Sequence, residues 1–480
     1  MKSLHKIQNN SSLPVVTPNN PRKTLEEYFF ELHAYVSELK QNKDKGSFAE
    51  HEAVIVQLAQ QIGRVALGEA LEEFDVSSDI IKIENQVYRR KHKASVNYQT
   101  ALGSVGVLRH VYVNRKKDGD GKSICPMELQ AGVIEGYWTP QAAKNAMWAV
   151  SHLTPHEAEE LFLRMGGMSP SRSSLDRLPK IVNTIWEPKI IEYHEELIEA
   201  EKVPEKAVCV GVSLDGVMIG MKPEKWDKTG TTPKKVEWRE ASCGTISFFD
   251  KEGERISTIE YGVMPEHKKA TLKKLLSINI DNILKTRKDL KLVQIADGAQ
   301  DNWTYFDEEM PNAFQVTDFY HACEYLREAF DEMYAKDKEK ANAKFEKYRH
   351  ILCHDKRGVV KVLKVLQYAH CRWSKDNQAV TDALTYFTHN QHRMEYAKAK
   401  ELGYPIGSGV VEASCKSLVG QRMKRSGMSW GHTGGQGVLS FRALAKSHRF
   451  DQGWEIVAQK YRKVIKKSNN VIMLSDYKMT

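Results

Sequence analysis

The sequence predicts an α/β core, a mixed five-stranded sheet with flanking helices, interrupted by an all-helical block and preceded by a helical and hairpin region. Three observations predict it. Apolar strand runs between Ala207 and Ala322 come in the order three strands, a helix, a strand, then another strand. Between Pro311 and Gly403 the only glycine or proline is Gly358, with Leu, Phe, Tyr and Val at helical spacing. Upstream, helical periodicity alternates with a segment of strand-like alternation.

Taken in order, residues 1–23 are rich in Asn, Ser, Pro and Lys and read as a disordered arm. From Thr24 to Phe74 the pattern is helical, with Leu25, Phe29, Leu32 and Val36 three and four apart. From Asp75 to Glu128, Ile81, Ile83, Val105, Val107, Val111 and Val113 alternate with polar residues, and Asp118-Gly119-Asp120-Gly121 reads as a turn, so strands or hairpins are expected. Thr139 to Ile185 is helical again. There Thr154-Pro155 opens a helix, Gly166-Gly167 breaks it, and Ser169 or Ser171 caps a second. That layout suits either a helix-turn-helix, with Arg172 and Arg177 on its second helix, or an ordinary helical hairpin.

Within the core, VCVGVSL (208–214) has the near-continuous apolar character of a strand covered on both faces. ASCGTISFF (241–249) and RISTIEYGVM (255–264) follow, joined by the hairpin turn Asp250-Lys251-Glu252-Gly253. An amphipathic helix then leads to KLVQIA (291–296) and AFQVT (313–317). After Gly403 come a loop, a helix from about Ser408 and a basic segment. The expected domains are an arm (1–23), an N-terminal helical and strand region (24–128), a helix-turn-helix region (129–200), two parts of a core (201–322 and 404–454) around a helical insertion (323–403), and a tail (455–480).

Composition bounds the function. A formal net charge of +9 hints at a polyanionic partner, because neutralised phosphates release counterions. Seven scattered cysteines with no Cys-x-x-Cys pair argue against a disulfide framework and fit reduced thiols in a cytoplasm. No apolar run reaches the length of a membrane span, and the first residues lack the apolar core of a signal peptide.

Asp215 follows the first core strand and Asp297 the fourth. If those strands are parallel neighbours, about 4.8 Å apart, two carboxylates at their ends could share metal ions, which lie about 3.5–4 Å apart in two-metal sites. Both aspartates also precede glycine, which is a turn signal in its own right. Glu412 sits on the edge of a helix whose core stripe is Val411, Cys415 and Leu418, and a surface pair with Lys416 is its alternative reading. His321, after Asp318, suits either a phosphate contact or a helix-capping role.

The blocks VSLDGV, QIADGAQDNW, TDFYHA and GSGVVEASCKSLVGQRMKRSGMSW together resemble those of the bacterial Kra-type insertion-sequence transposases, relatives of the Mutator-like group, from about Thr139 to Trp454. The resemblance implies a ribonuclease-H-like core with a helical insertion, in which Asp215, Asp297 and Glu412 form a DDE triad holding two Mg2+ ions, with Mn2+ as a substitute. It matches Asp318 and His321 to the family's Asp-x-x-His. It implies cleavage and strand transfer at the ends of an insertion sequence, by a homodimer or higher oligomer on double-stranded DNA at the nucleoid. A resolvase-like nuclease and a catalytically silent DNA-binding descendant share the fold. Lys416, Arg422, Lys424 and Arg425 are then expected at phosphates near the cut, and Arg172 and Arg177 at the element ends, with Arg89, Arg90, Lys91 and Lys93 as a further basic patch. Trp303 and Trp430 are candidates for base stacking or for packing. The family's zinc-ribbon cysteines are missing: residues 105–128 carry only Cys125.

Overall fold

The computed structural model describes residues 23–42, 46–84, 86–114, 123–223, 236–373 and 377–467. The expected arm, apart from Lys23, and the Asp118–Gly121 turn lie outside these residues. The chain divides into two compact units, one of residues 1–185 with 454–480 and one of residues 186–453.

In the first unit the helical N-terminal pattern resolves into two helices, Leu25–Gln41 and Phe48–Glu72. Thr24 and Glu27 close a capping box at the first, each satisfying the other's backbone amide. The alternating segment forms an antiparallel sheet of β1 (Ile80–Ile83), β2 (Gln86–Thr100), β3 (Gly103–Val113) and β4 (Ser123–Ile124). Ile81, Ile83, Val105, Val107 and Val111 are buried, as their alternation requires. Residues 455–467, the described part of the expected tail, carry regular structure. They begin inside the helix Phe450–Tyr461, and Lys466–Lys467 then pairs with β1, held there by Ile465 packing beside Ile81 and Tyr112.

Two helices, Pro155–Met165 and Arg172–Trp186, flank the Gly166-Gly167 break, where both glycines take positive φ. Thr154 and Glu157 form a second capping box, and it is Ser171 that accepts the Ser174 amide. Arg172 and Arg177 are exposed on the second helix.

The second unit is built on a mixed sheet of five strands: β5 (Cys209–Met221), β6 (Glu237–Phe249), β7 (Arg255–Val263), β8 (Lys291–Ala296) and β9 (Phe314–Thr317). Their spatial order is β7-β6-β5-β8-β9, with β5–β6 and β6–β7 antiparallel and β5–β8 and β8–β9 parallel. Residues 209–214 are all buried, as a central strand with two covered faces demands. The β6–β7 turn is closed by the Asp250 carboxylate, which accepts the Glu252 and Glu254 amides, and by Gly253 at φ 80°. Between β9 and Gly403 every described element is helical. Those helices share an apolar core with β8 and β9 through Val293, Ile295, Val316, Leu326, Leu366 and Phe387. No helix among the described residues is long and apolar enough to cross a membrane.

Candidate active site

Asp215 is not at a turn. β5 runs straight through Asp215-Gly216 to Met221, paired along its whole length with β6. What ends near Asp215 is the other neighbour. The parallel ladder to β8 runs from Cys209↔Lys291 to Ser213↔Ile295, so Asp215 and Asp297 each lie two residues beyond its last pair. Asp215, within β5, and Asp297, just past the end of β8, thus lie at the same level on neighbouring parallel strands, whose paired backbones run about 4.8 Å apart. The Gly216 amide donates to Asp215 Oδ1 at 2.7 Å. Asp297 is braced from its own following helix: Ala299 N and Asn302 Nδ2 donate to Oδ1 at 3.1 and 3.4 Å, and Trp303 Nε1 donates to its carbonyl at 2.8 Å.

Glu412 is carried by the helix Gly409–Ser414, which continues as a π-helical turn, Cys415–Gly420, and ends with Gln421–Met423. Val411, Cys415, Leu418, Val419 and Met423 pack on Ile219, Ala241 and Cys243 of β5 and β6. This stripe leaves Glu412 and Lys416 exposed. Two anchors fix the segment to the sheet. Ahead of Glu412, the Ser408 amide donates to Asp318 Oδ2, while Ser408 Oγ donates to Glu412 Oε1 at 2.9 Å. Behind it, Cys415 Sγ donates to Asp215 Oδ2 at 3.6 Å. Contact with Cys243 (the cross-strand partner of Asp215), burial and the nearby Asp215 charge keep the Cys415 thiol strongly protonated.

Asp318 ties the remaining pieces together. Its amide donates to Ala296 O at 2.9 Å, and its fully buried carboxylate caps the helix Phe319–Met333 by accepting the His321 amide at 2.6 Å. His321 therefore occupies the third position of a capped helix, its Nδ1 3.0 Å from Glu324 Oε2 and its ring edge-on to Tyr325 and Tyr386. Tyr386, from the helical block, is pushed far above the ordinary phenol range by burial first and then by the charges of Asp318 and Asp297.

Asp215 and Asp297 thus lie level on neighbouring strands, and the helix that carries Glu412 packs on β5 and β6. Oxygen-only donors suit a hard cation such as Mg2+. The carboxylates do not close into a cage: no group of three His, Cys, Asp or Glu side chains among the described residues is arranged to hold a metal ion.

The basic residues divide. Lys416 and Lys424 are exposed and Arg425 is half-buried, its Nε donating to Gln421 O at 2.9 Å. Arg422 corrects expectation. It is 2% exposed, with its guanidinium 4.9 Å over the Trp430 ring, so it packs the helix end and is shut off from a phosphate. Trp303 and Trp430 are packing residues as well. Trp303 is 3% exposed under Arg393, and Trp430 bonds through its backbone to Gly220 and Lys222. Sequence reasoning missed the second-line contacts made by Cys415, Ser408 and Tyr386. For Cys415 the signal was present, one turn beyond Glu412 on the buried stripe.

No family profile and no curated protein matches the chain. Among solved structures, the Drosophila P element transposase strand transfer complex is similar at 9% identity over 67% of this chain and 81% of that one, with a TM-score of 0.26. A likeness that small fixes neither fold nor function.

Proposed function

We propose that the protein is a DDE transposase of the Kra type, with a ribonuclease-H-like core interrupted by the helical block, which cuts the ends of an insertion sequence and joins them to target DNA. The observation that carries this reading is the level placement of Asp215 and Asp297 on adjacent parallel strands, with the Glu412 helix pinned to Asp215 through Cys415. The strand order with its two antiparallel and two parallel pairings, and the motif blocks around each acid, support the same reading.

In this proposal Asp215, Asp297 and Glu412 are the carboxylates that hold Mg2+, with Mn2+ able to replace it; Glu412 must turn from Ser408 to join the two aspartates. Bound divalent ions supply activation of the attacking hydroxyl and stabilisation of the leaving 3′-oxygen. The chain's own residues do the positioning. Asp318 and Ser408 set where the Glu412 helix begins, Trp303 and Asn302 hold the Asp297 loop, and Lys416 and Lys424 contact phosphates beside the cut without reading sequence. Arg172 and Arg177 read the element end from the helix-turn-helix of a dimer or larger assembly.

The test supplies the full-length protein with a labelled donor end, a supercoiled plasmid and Mg2+. Label joined to plasmid supports a transposase. Cleavage without joining leaves a nuclease, and no reaction with any end flanking the coding region removes the proposal.

A further inference from the structure

We propose that Tyr386, on the helical block, is a positioning residue for Asp297: its hydroxyl donates to the Asp297 carboxylate when that carboxylate turns to a divalent cation. The inference rests on the reading of Asp297 as a cation ligand, and it gives the inserted helices a part in the site.

Contact is the first argument. Tyr386 lies on the helix Gln378–Asn390, yet its ring sits against the turn that follows Asp297. A Cβ on Gly298 would lie 2.6 Å from Tyr386 Cε2 and 3.2 Å from Cδ2, so the ring meets this glycine with its hydroxyl-bearing end. The ring is held on other sides as well. It stacks on Tyr325 at 4.2 Å, with 16° between the planes, and takes the edge of His321 at 5.7 Å. Asn390 Nδ2 donates to the Tyr386 carbonyl at 3.0 Å, tying the last turn of the helix to this residue.

Bonding capacity is the second argument. Tyr386 is 8% exposed, and its hydroxyl is buried with no hydrogen-bond partner among the described residues. Such a group is destabilising where it stands, and proteins keep few of them. The Asp297 carboxylate is bonded on one side only. Its Oδ1 accepts the Ala299 amide and, at 3.4 Å, Asn302 Nδ2, while Oδ2 accepts from none of the described residues. An ionised carboxylate has about four lone-pair sites, so it can hold a cation on one and accept a phenol on another. Burial, with the charges of Asp318 and Asp297, keeps the phenol protonated and therefore a donor.

A bond made only in the cation-bound state strengthens cation binding and leaves the metal-free protein as it was. Groups that stand behind metal ligands in this way contribute roughly 10–100-fold in affinity.

Mn2+ binding to the full chain without DNA, followed by the free-ion signal in electron paramagnetic resonance, tests this with Tyr386→Phe, which keeps the ring. The Mn2+ dissociation constant is expected to rise about tenfold. The melting temperature of the metal-free variant should not fall, because the lost hydroxyl had no partner. In cleavage, the Mg2+ concentration giving half the maximal rate should rise by a similar factor, with the rate at saturating Mg2+ retained. Tyr325→Phe, which alters the stacked neighbour instead, should bind Mn2+ as wild type does. Unchanged Mn2+ affinity in Tyr386→Phe overturns the proposal, as does an equal loss in Tyr325→Phe. Asp297→Asn separates the two readings. Mn2+ binding lost there but intact in Tyr386→Phe removes this inference alone, whereas undiminished binding in Asp297→Asn removes the cation-ligand reading and this inference with it.

Discussion

The Cys415 thiol donates to the Asp215 carboxylate across 3.6 Å, joining two residues 200 positions apart in the chain. It fastens the helix of one proposed catalytic acid to the side chain of another, and it does so from a buried position against Cys243.

Cys415→Ala removes both that bond and a core atom. A hydrogen bond of this kind contributes about 0.5–1.5 kcal/mol, and the small cavity adds to its loss. We expect a loss of about 1–2 kcal/mol in thermal denaturation and a cleavage rate reduced about tenfold. Cys415→Ser, which keeps a donor, should recover most of the rate. Equal rates for both variants would show that the thiol does not position Asp215.

Asp318→Ala leaves the amides of His321 and Ser408 without their acceptor in a buried site. An N-cap is worth about 0.5–2 kcal/mol, and a stranded buried donor about 1–3. The expected destabilisation is about 3 kcal/mol, measurable by thermal denaturation, and a loss under about 0.5 kcal/mol contradicts the role given to Asp318.

Gly298→Ala would bring a Cβ to 2.6 Å from the Tyr386 ring. That ring cannot yield easily, being stacked on Tyr325 at 4.2 Å. Overpacking of this kind costs about 1–3 kcal/mol. Because the next residue upstream is Asp297, cleavage should fall together with stability; a variant with wild-type stability and activity would show the loop to be slack.

His194 sets a pH dependence. Burial, followed by the charge of Arg449, lowers its imidazole to about 3, against 6.5 for a free histidine. Below about pH 6.5 the unfolded chain takes up a proton that the folded one refuses. Its stabilising contribution is therefore complete above that pH and declines toward pH 3, by up to about 1.4 kcal/mol per pH unit. In denaturation series from about pH 7 to 4, His194→Gln should show a shallower decline than wild type. Parallel declines would contradict this.

Much of the core was legible in the sequence. KLVQIA is β8 residue for residue, a run too short for a helix and carrying the β-branched Val293 and Ile295. The near absence of glycine and proline marked the helical block equally well. Asp215-Gly216 was less legible. The pair carries a turn signal, but Gly216 is a strand residue where a Cβ would press into the Glu240 side chain, which is salt-bridged to Lys269. That requirement comes from a neighbouring strand and leaves no local trace. Arg422 misled for a similar reason: a basic run looks solvated until the π-helical turn before it shifts the helix face and places its first cation over Trp430. The level placement of Asp215 and Asp297 depended on strand register, which no single segment encodes.

The most direct test of the account is a single-turnover cleavage series in Mg2+ with wild type, Asp215→Asn, Asp297→Asn and Glu412→Gln, each checked by thermal denaturation. All three variants are expected to stay folded and to lose cleavage by at least about a hundredfold, as for residues acting as one unit. Wild-type cleavage in any one of them would contradict it.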